Sequence, residues 1–409
     1  MQNDATDQKN IRYQLQQVIF KRASQIVNNP YSKKTFEKLR DCHTSHIGMH
    51  RLHCEDSDCA SEQYQYHNCG NRHCPNCGSQ RRDQWIEDKT SELLPTAYYH
   101  VVFTLPHELN ALTMYNRKVM FDLLFEASSY TLMKLSKDEK WMGATPGIIS
   151  ILHTWGQQLS FHPHVHCIVS GGGVNGEKWV KEKREKNNYL FPKSVLEKVY
   201  KAYYLKRINS MLRKNQLHVV NKHTVENMLN DITQKRWNVY AKRPFGGPLQ
   251  VLEYLGRYTH KVAITSHRIR KIDAIQNEIT FKYKDYHHRG TKEEHKEMTL
   301  SIDEFIRRYE QHILPKRYTK IRHYGYLRNH GRAARLKQLF ELLKLPPAPS
   351  KVRIPIRQRM LEKTGVDIMQ CPVCKQAQMK MVATYYKGVL CKIYLPDLTS
   401  GDHPNNKSP

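Results

Sequence analysis

The order of strand-like and helical segments predicts an α+β protein behind a metal-binding N-terminal region, and allows an antiparallel sheet with flanking helices on one side. Two observations carry this. Six of the 10 cysteines fall between Cys42 and Cys77, mixed with six histidines, while the long remainder is nearly free of cysteine. That distribution reads as metal ligation, not disulfides. Beyond residue 96, β-branched and aromatic runs alternate with helical ones over a chain of 409 residues, long enough for two or three domains.

The first 40 residues read as helical, with Ile11, Leu15, Val18, Ile19 and Ile26 near helical spacing and a stop at Asn29-Pro30. Residues 42–77 hold too few aliphatic side chains for a core, so a metal must replace one. Residues 85–94 look helical, and 98–105 (YYHVVFTL), closed by Pro106, form a strand. A helix over 116–135 precedes two strands, 148–154 and 164–170, joined by a turn around Gly156 into an antiparallel hairpin. Two helices fill 194–237, and a short strand covers 237–241. The Gly246-Gly247-Pro248 break starts a helix that runs to 262. Strands follow at 263–269 and 278–283. Ser301 and Glu304 fit a capping box opening a helix to 312. The tail after Leu345 begins Pro-Pro-Ala-Pro and is loosely patterned.

Lys and Arg outnumber Asp and Glu by 66 to 38, a net charge of +28 with 39% apolar residues. No run approaches the roughly 20 apolar residues of a membrane span, and residues 1–10 lack the order of a signal peptide. A cytoplasmic protein with an acidic polymer as partner, nucleic acid first, is the expectation, since each phosphate neutralised releases counterions.

Two constellations carry chemistry. In Phe161-His-Pro-His-Val-His166 a strand projects His164 and His166 from one face, where two imidazoles can share a divalent cation. Pro163, without an amide hydrogen, belongs at the strand's beginning, and His162 is the weaker ligand. In residues 253–261 (EYLGRYTHK), a helix places Tyr254, Tyr258 and Lys261 within about 60° of one another, away from Leu252, Leu255 and Val262. Two phenols beside an ammonium suit a nucleophile that attacks phosphorus. A phenol needs a base, a positive neighbour or a polarised electrophile to react near neutral pH.

The order Phe103-Thr-Leu-Pro106, His164-Val-His166 and Tyr258-Thr-His-Lys261 resembles the three ordered motifs of the HUH endonuclease superfamily. The tyrosine pair is similar to that of rolling-circle transposases of the insertion sequence ninety-one family. The Cys42–Cys77 cluster and the blocks at 99–106, 244–248 and 321–326 extend the resemblance over residues 40–330. It implies an HUH-type sheet, and a transposase that cleaves and rejoins single-stranded DNA at element ends through a 5′-phosphotyrosine, without a nucleotide cofactor or a membrane. In the implied reaction Tyr254 and Tyr258 are nucleophiles and Lys261 offsets charge. His164 and His166 hold Mg²⁺ or Mn²⁺, and Gln157 is the third ligand, because some relatives carry an acidic ligand seven positions before the first histidine. The competing expectations are an HUH replication initiator and a non-enzymatic zinc-dependent DNA-binding protein. A bacterial, cytoplasmic enzyme, nucleoid-associated on DNA, is implied.

The N-terminal spacings, Cys42-x7-His50, Cys54-x4-Cys59, Cys69-x3-His73 and Cys74-x2-Cys77, suit two tetrahedral Zn²⁺ sites. If pairs alternate, one site is Cys42, His50, Cys69 and His73, and the other Cys54, Cys59, Cys74 and Cys77. His46, His53 and His67 compete for the imidazole places, and the cluster either holds DNA or braces the catalytic domain. Cys371-Pro-Val-Cys374 looks like half a zinc knuckle and is left out of both sites. Residues 311–340 carry eight Lys or Arg and no acid, with Tyr318, Tyr324 and Tyr326 interleaved, a pattern suited to single strands. Arg257, Arg317, Arg322 and Arg328 are the candidate DNA contacts. The expected division is a helix and zinc-binding domain over 1–95, the catalytic domain over 96–345, and a tail over 346–409.

Overall fold

The computed structural model describes residues 10–77, 85, 86, 88–183, 190–242, 250, 251, 254, 256, 262–285, 288, 290, 291, 294–347 and 354–394. A π-helical turn, Leu15–Phe20, runs into helix α1 (Lys21–Ile26), which stops close to the expected place. Pro30 then becomes the first residue of α2 (Pro30–Arg40). The Asn29 side chain caps it, accepting from the Tyr31 and Ser32 amides at 3.0 Å, and proline at that position forfeits no helical hydrogen bond.

Strands β1 (Met49–Cys54), β2 (Glu62–Tyr66) and β3 (Tyr98–Thr104) precede the short α3 (Asn110–Tyr115) and the long α4 (Arg117–Lys137). The hairpin of β4 (Thr145–Trp155) and β5 (Phe161–Asn175) is longer than expected, and β6 (Lys178–Lys181) folds back on its end. Helices α5 (Lys193–Arg213) and α6 (Lys222–Gln234) lead to β7 (Val239–Lys242). A meander of β8 (Ile269–Asp273), β9 (Glu278–Lys284) and β10 (His295–Ser301) ends in α7 (Ile302–Glu310). The Ser301 side chain caps α7 by accepting from the Glu304 amide at 3.3 Å. Beyond it lie β11 (Ile321–Gly325), α8 (Arg332–Leu342), α9 (Ile356–Thr364), β12 (Met379–Tyr386) and β13 (Val389–Ile393).

The main sheet runs β11-β4-β5-β3-β7, with every neighbouring pair antiparallel. Alternation gives each strand two faces. Val101 and Phe103 of β3, Leu152 of β4, and Val165, Cys167 and Val169 of β5 pack against α4, α5 and α6 in the largest core. The opposite face carries Tyr98, Ile149, Ile151 and Ile168, and these require cover as well. Leu93, Leu94, Val251, Tyr326, Leu327 and residues of α8 supply it, so helical elements lie on both faces and not on one side as expected.

Three expectations change. The strand expected at 263–269 begins only at Ile269, because Ser266–Arg268 forms a 3-10 turn that leads into β8. Two strands without long apolar runs, β10 and β11, join sheets through register with a partner. The C-terminal segment is not a loose tail, since β12 pairs antiparallel with β1, giving a four-stranded sheet of order β13-β12-β1-β2. Strand pairing thus crosses the expected boundary at residue 346. Among the described residues no helix is long and apolar enough to cross a membrane.

The turn of the β4–β5 hairpin rests on His312, just beyond α7. Burial pushes the His312 imidazole down to about 3, so the ring is neutral, with one donor and one acceptor. Its Nε2 lies 3.1 Å from the Leu159 carbonyl and donates to it, and its Nδ1 accepts from the Thr154 hydroxyl at 3.2 Å. His312→Leu removes both bonds and leaves two buried groups unmatched. A loss of about 1–3 kcal/mol is expected, read as a lower urea midpoint with little change in slope.

Candidate metal centres and active site

Among the described residues three side-chain groups are placed to share a cation: Cys42, Cys69, Cys74 and Cys77; Cys54, Cys59, Cys371 and Cys374; and His153, His164 and His166. Within each group the ligand atoms lie within 4.8 Å of one another.

The histidine group follows from sheet geometry. His164 and His166 alternate with Val165, so they share a face as the sequence requires. The third member is His153 on β4, whereas the sequence pointed to Gln157. At the hairpin's end Trp155 pairs with Phe161, and continuing that register would set His153 opposite Pro163, with His164 and His166 on the other face. The register shifts between Trp155 and His153, so that His162 and Pro163 together face Thr154 and His153 pairs with His164. The extra residue belongs to β5, so it moves the later side chains of that strand, His164 and His166 among them, to the face of His153. Pro163 therefore lies inside the bulge, one residue pair beyond the strand's beginning, where a missing amide hydrogen costs no ladder bond.

The ring nitrogens are already oriented. His164 Nδ1 lies 2.6 Å from the His162 carbonyl and donates to it, leaving Nε2 for a ligand. His166 Nδ1 lies 2.9 Å from Nε2 of His100 on β3, with the two rings nearly coplanar, so that Nε2 is the His166 atom that points to a ligand. Three imidazoles suit a first-row transition cation. Of the two ions the resemblance implies, Mn²⁺ matches nitrogen donors better than Mg²⁺, which demands oxygen.

Gln157 lies in the hairpin turn and lines the same cleft, of about 450 Å³, in which its carbonyl accepts from Arg268. The opposite wall of the cleft, Arg268, Tyr283, Lys284 and Asp285, comes from the turn before β8 and the end of β9, which offer no motif in the sequence.

Tyr254 reaches this centre from the second face. Gln250, Val251, Tyr254 and Gly256 are helical, and buried Val251 docks on the sheet. Tyr254, three residues on, shares that face. Its hydroxyl lies 3.2 Å from His100 Nδ1, with the rings edge to face at 4.9 Å. His100 thus stands between the phenol and the histidine cluster. It sits in the block 99–106, but nothing marks it as functional until β3 is paired with β5. Tyr258, Lys261 and Arg257 lie outside the described residues.

The cysteine groups differ from the expected pairing. His50 and His73 join neither one. His50 instead meets His67 (Nε2 to Nε2, 3.0 Å) and the Thr384 hydroxyl, while burial lowers His73 to about 3. The first tetrad joins Cys42 to the three closely spaced cysteines, with sulfur separations of 3.6 Å for Cys42–Cys74 and 3.5 Å for Cys69–Cys77. The second recruits Cys371 and Cys374 from the C-terminal segment, with separations of 3.7 Å for Cys54–Cys374 and 3.8 Å for Cys59–Cys371. Ligands about 2.3 Å from a tetrahedral zinc stand about 3.8 Å apart, so both sets fit Zn²⁺. The Ser61 hydroxyl, 3.1 Å from Cys371, holds that thiol down to about 6, favouring the thiolate a metal needs.

The basic residues divide. Arg317 and Arg328 are exposed, and Arg328 lines a groove of about 750 Å³ with Arg335 at the far end of β4. Arg322 pairs with Asp122 and lies over Phe125, so it ties β11 to α4. Tyr318 and Tyr326, expected as stacking surfaces, are buried in the two cores of the main sheet.

Two outcomes test these centres. Cys374→Ser in the full chain should lower bound zinc from two per chain to one, measured by elemental analysis, and leave the first tetrad loaded. His153→Ala should weaken Mn²⁺ binding about tenfold or more, measured by electron paramagnetic resonance, with zinc content unchanged.

Comparison with known proteins gives one answer across the chain. A family model described as "Transposase zinc-binding domain", of the IS91 type, matches residues 13–105, and one described as "Putative transposase" matches residues 147–334. A relative from Sinorhizobium fredii, named "Putative transposase y4qJ", is 38% identical over 85% of this chain and 88% of its own. The transposase for insertion sequence element IS801 of Pseudomonas savastanoi pv. phaseolicola is 29% identical over 83% of this chain and 81% of its own. No solved structure matches. Both matched spans reach the centre described above, the first through His100 and the second through His153, His164, His166 and Tyr254. The chain belongs to the IS91 family of transposases.

Proposed function

We propose that this transposase cleaves and rejoins single-stranded DNA at the ends of its element through a 5′-phosphotyrosine, in rolling-circle-like transposition. The observation that carries the reading is the placement of the Tyr254 hydroxyl, 3.2 Å from His100, which is itself 2.9 Å from His166 of the three-imidazole cluster. A nucleophile and a cation site are thereby joined by one side chain.

A divalent cation on His153, His164 and His166 would supply charge neutralisation at a scissile phosphate. The chain's own groups do the rest. The Tyr254 oxygen attacks phosphorus and forms the new P–O bond as the bond to the 3′-oxygen breaks. The phenol proton passes to solvent, and the leaving oxygen takes a proton to become a 3′-hydroxyl. Phosphoester is exchanged for phosphoester, so a 3′-hydroxyl can reverse the step and join strands without a nucleotide cofactor. We assign Tyr258 to the second cleavage, Lys261 to charge compensation, and Arg257, Arg317 and Arg328 to the DNA backbone. The cleft of about 450 Å³ has room for a nucleotide, with Arg268 and Lys284 on its wall.

The test is an SDS-resistant protein–DNA adduct formed with single-stranded oligonucleotides from both element ends in Mn²⁺. Tyr254→Phe should lower the first-cleavage adduct by about 10³-fold or more, and the Tyr254→Phe/Tyr258→Phe double variant should form none. An adduct of undiminished yield in the double variant would falsify the tyrosine reading.

A further inference from the structure

We propose that His100 is a positioning residue that donates a hydrogen bond to the Tyr254 oxygen, and so holds the nucleophile in register with the cation site without acting as its base. This rests on the reading of Tyr254 as nucleophile and adds to it the polarity of the chain of contacts.

The polarity follows from geometry. His166 Nδ1 faces His100 at 2.9 Å, so Nε2 is the atom His166 offers to a cation. An imidazole that ligates through Nε2 keeps its proton on Nδ1. That proton is donated to His100 Nε2. Two N–H groups cannot share one hydrogen bond, so His100 Nε2 bears no proton and its ring proton sits on Nδ1. His100 Nδ1 faces the Tyr254 oxygen at 3.2 Å. The ring therefore presents a donor to that oxygen and has no lone pair left there to accept the phenol proton.

Packing fixes this arrangement. His100 is buried in the middle of β3, opposite Ile168, and its ring lies edge to edge with that of His166, with an interplanar angle of 2°. The Tyr254 ring meets His100 edge to face. A donor aimed at the phenol oxygen stabilises the phenolate that attacks, and it also fixes that oxygen relative to His166. The phenol proton leaves to solvent, as the balanced step above requires.

Three variants of the full chain separate this role from others, with Mn²⁺ affinity by electron paramagnetic resonance read beside adduct yield. His100→Leu keeps apolar volume but loses both hydrogen bonds. It should lower Mn²⁺ affinity about 10- to 100-fold and adduct formation at least as much, with zinc content unchanged. His100→Gln has an amide oxygen to accept from His166 and an amide N–H to donate to Tyr254, and should recover part of both losses. Tyr254→Phe should abolish first cleavage yet leave Mn²⁺ affinity within about twofold.

Wild-type Mn²⁺ affinity and adduct yield in folded His100→Leu would overturn the proposal. So would a folded His100→Gln chain that binds Mn²⁺ well but forms no adduct, the result expected of a base. This arm decides even if His100→Leu fails to fold. An undiminished adduct in Tyr254→Phe would instead remove the nucleophile reading, with the Mn²⁺ series still reporting the His100–His166 contact.

Discussion

The site depends on one residue too many in a strand. Because His162 and Pro163 together face Thr154, the β4–β5 ladder slips by one, and His164 and His166 of the bulged strand come to the face of His153. A regular hairpin would set Pro163 opposite His153 and turn His164 and His166 to the other face of the sheet, away from it. The same face then brings His100 beside His166 through the β3–β5 ladder. A three-imidazole cluster and its link to Tyr254 thus follow from the side-chain alternation of three adjacent strands.

The hairpin is held from outside the main sheet. Its turn residue Leu159 packs in one core with Phe20, Phe36, Cys42, Cys74 and Tyr309, so the first cysteine tetrad and the histidine-bearing hairpin share a wall. The Tyr309 hydroxyl donates to the His73 carbonyl, and His312 holds the Leu159 carbonyl. Of the two roles open for the N-terminal cluster, these contacts support bracing. Residues 42–77 carry little apolar surface, and a bound metal replaces what a hydrophobic core would contribute there. The second tetrad closes the ends of the chain on each other, since Cys54 and Cys59 meet Cys371 and Cys374 across more than three hundred residues.

Charge and aromatic content act in different places. A net charge of +28 draws the chain to a polyanion without selecting a sequence. Some of the basic run at 311–340 is used internally: Arg322 pairs with Asp122, and Arg335 donates to the Tyr326 and Arg328 carbonyls. The interleaved Tyr318 and Tyr326 fill the cores on opposite faces of one sheet. One wall of the histidine-lined cleft comes from β9 and the turn before β8, whose Arg268 donates to the carbonyls of Gln157 and Lys282.

Local pattern determined much of this protein. The His164–His166 pair, the strand at 98–104, the hairpin, the paired helices after it, the Ser301 cap and the metal character of the cysteine cluster are all written in residues a few positions apart, where side-chain period and capping chemistry act. What tertiary structure decided involves partners distant in sequence. His153 depended on a bulge that no local pattern reveals, and His100 on pairing between strands more than 60 residues apart. Cys371 and Cys374 looked like half a site because the other half lies more than 300 residues earlier. Alternating the N-terminal pairs failed for the same reason: ligand choice follows which sulfurs the fold brings within reach of one cation, and spacing along the chain does not measure that distance.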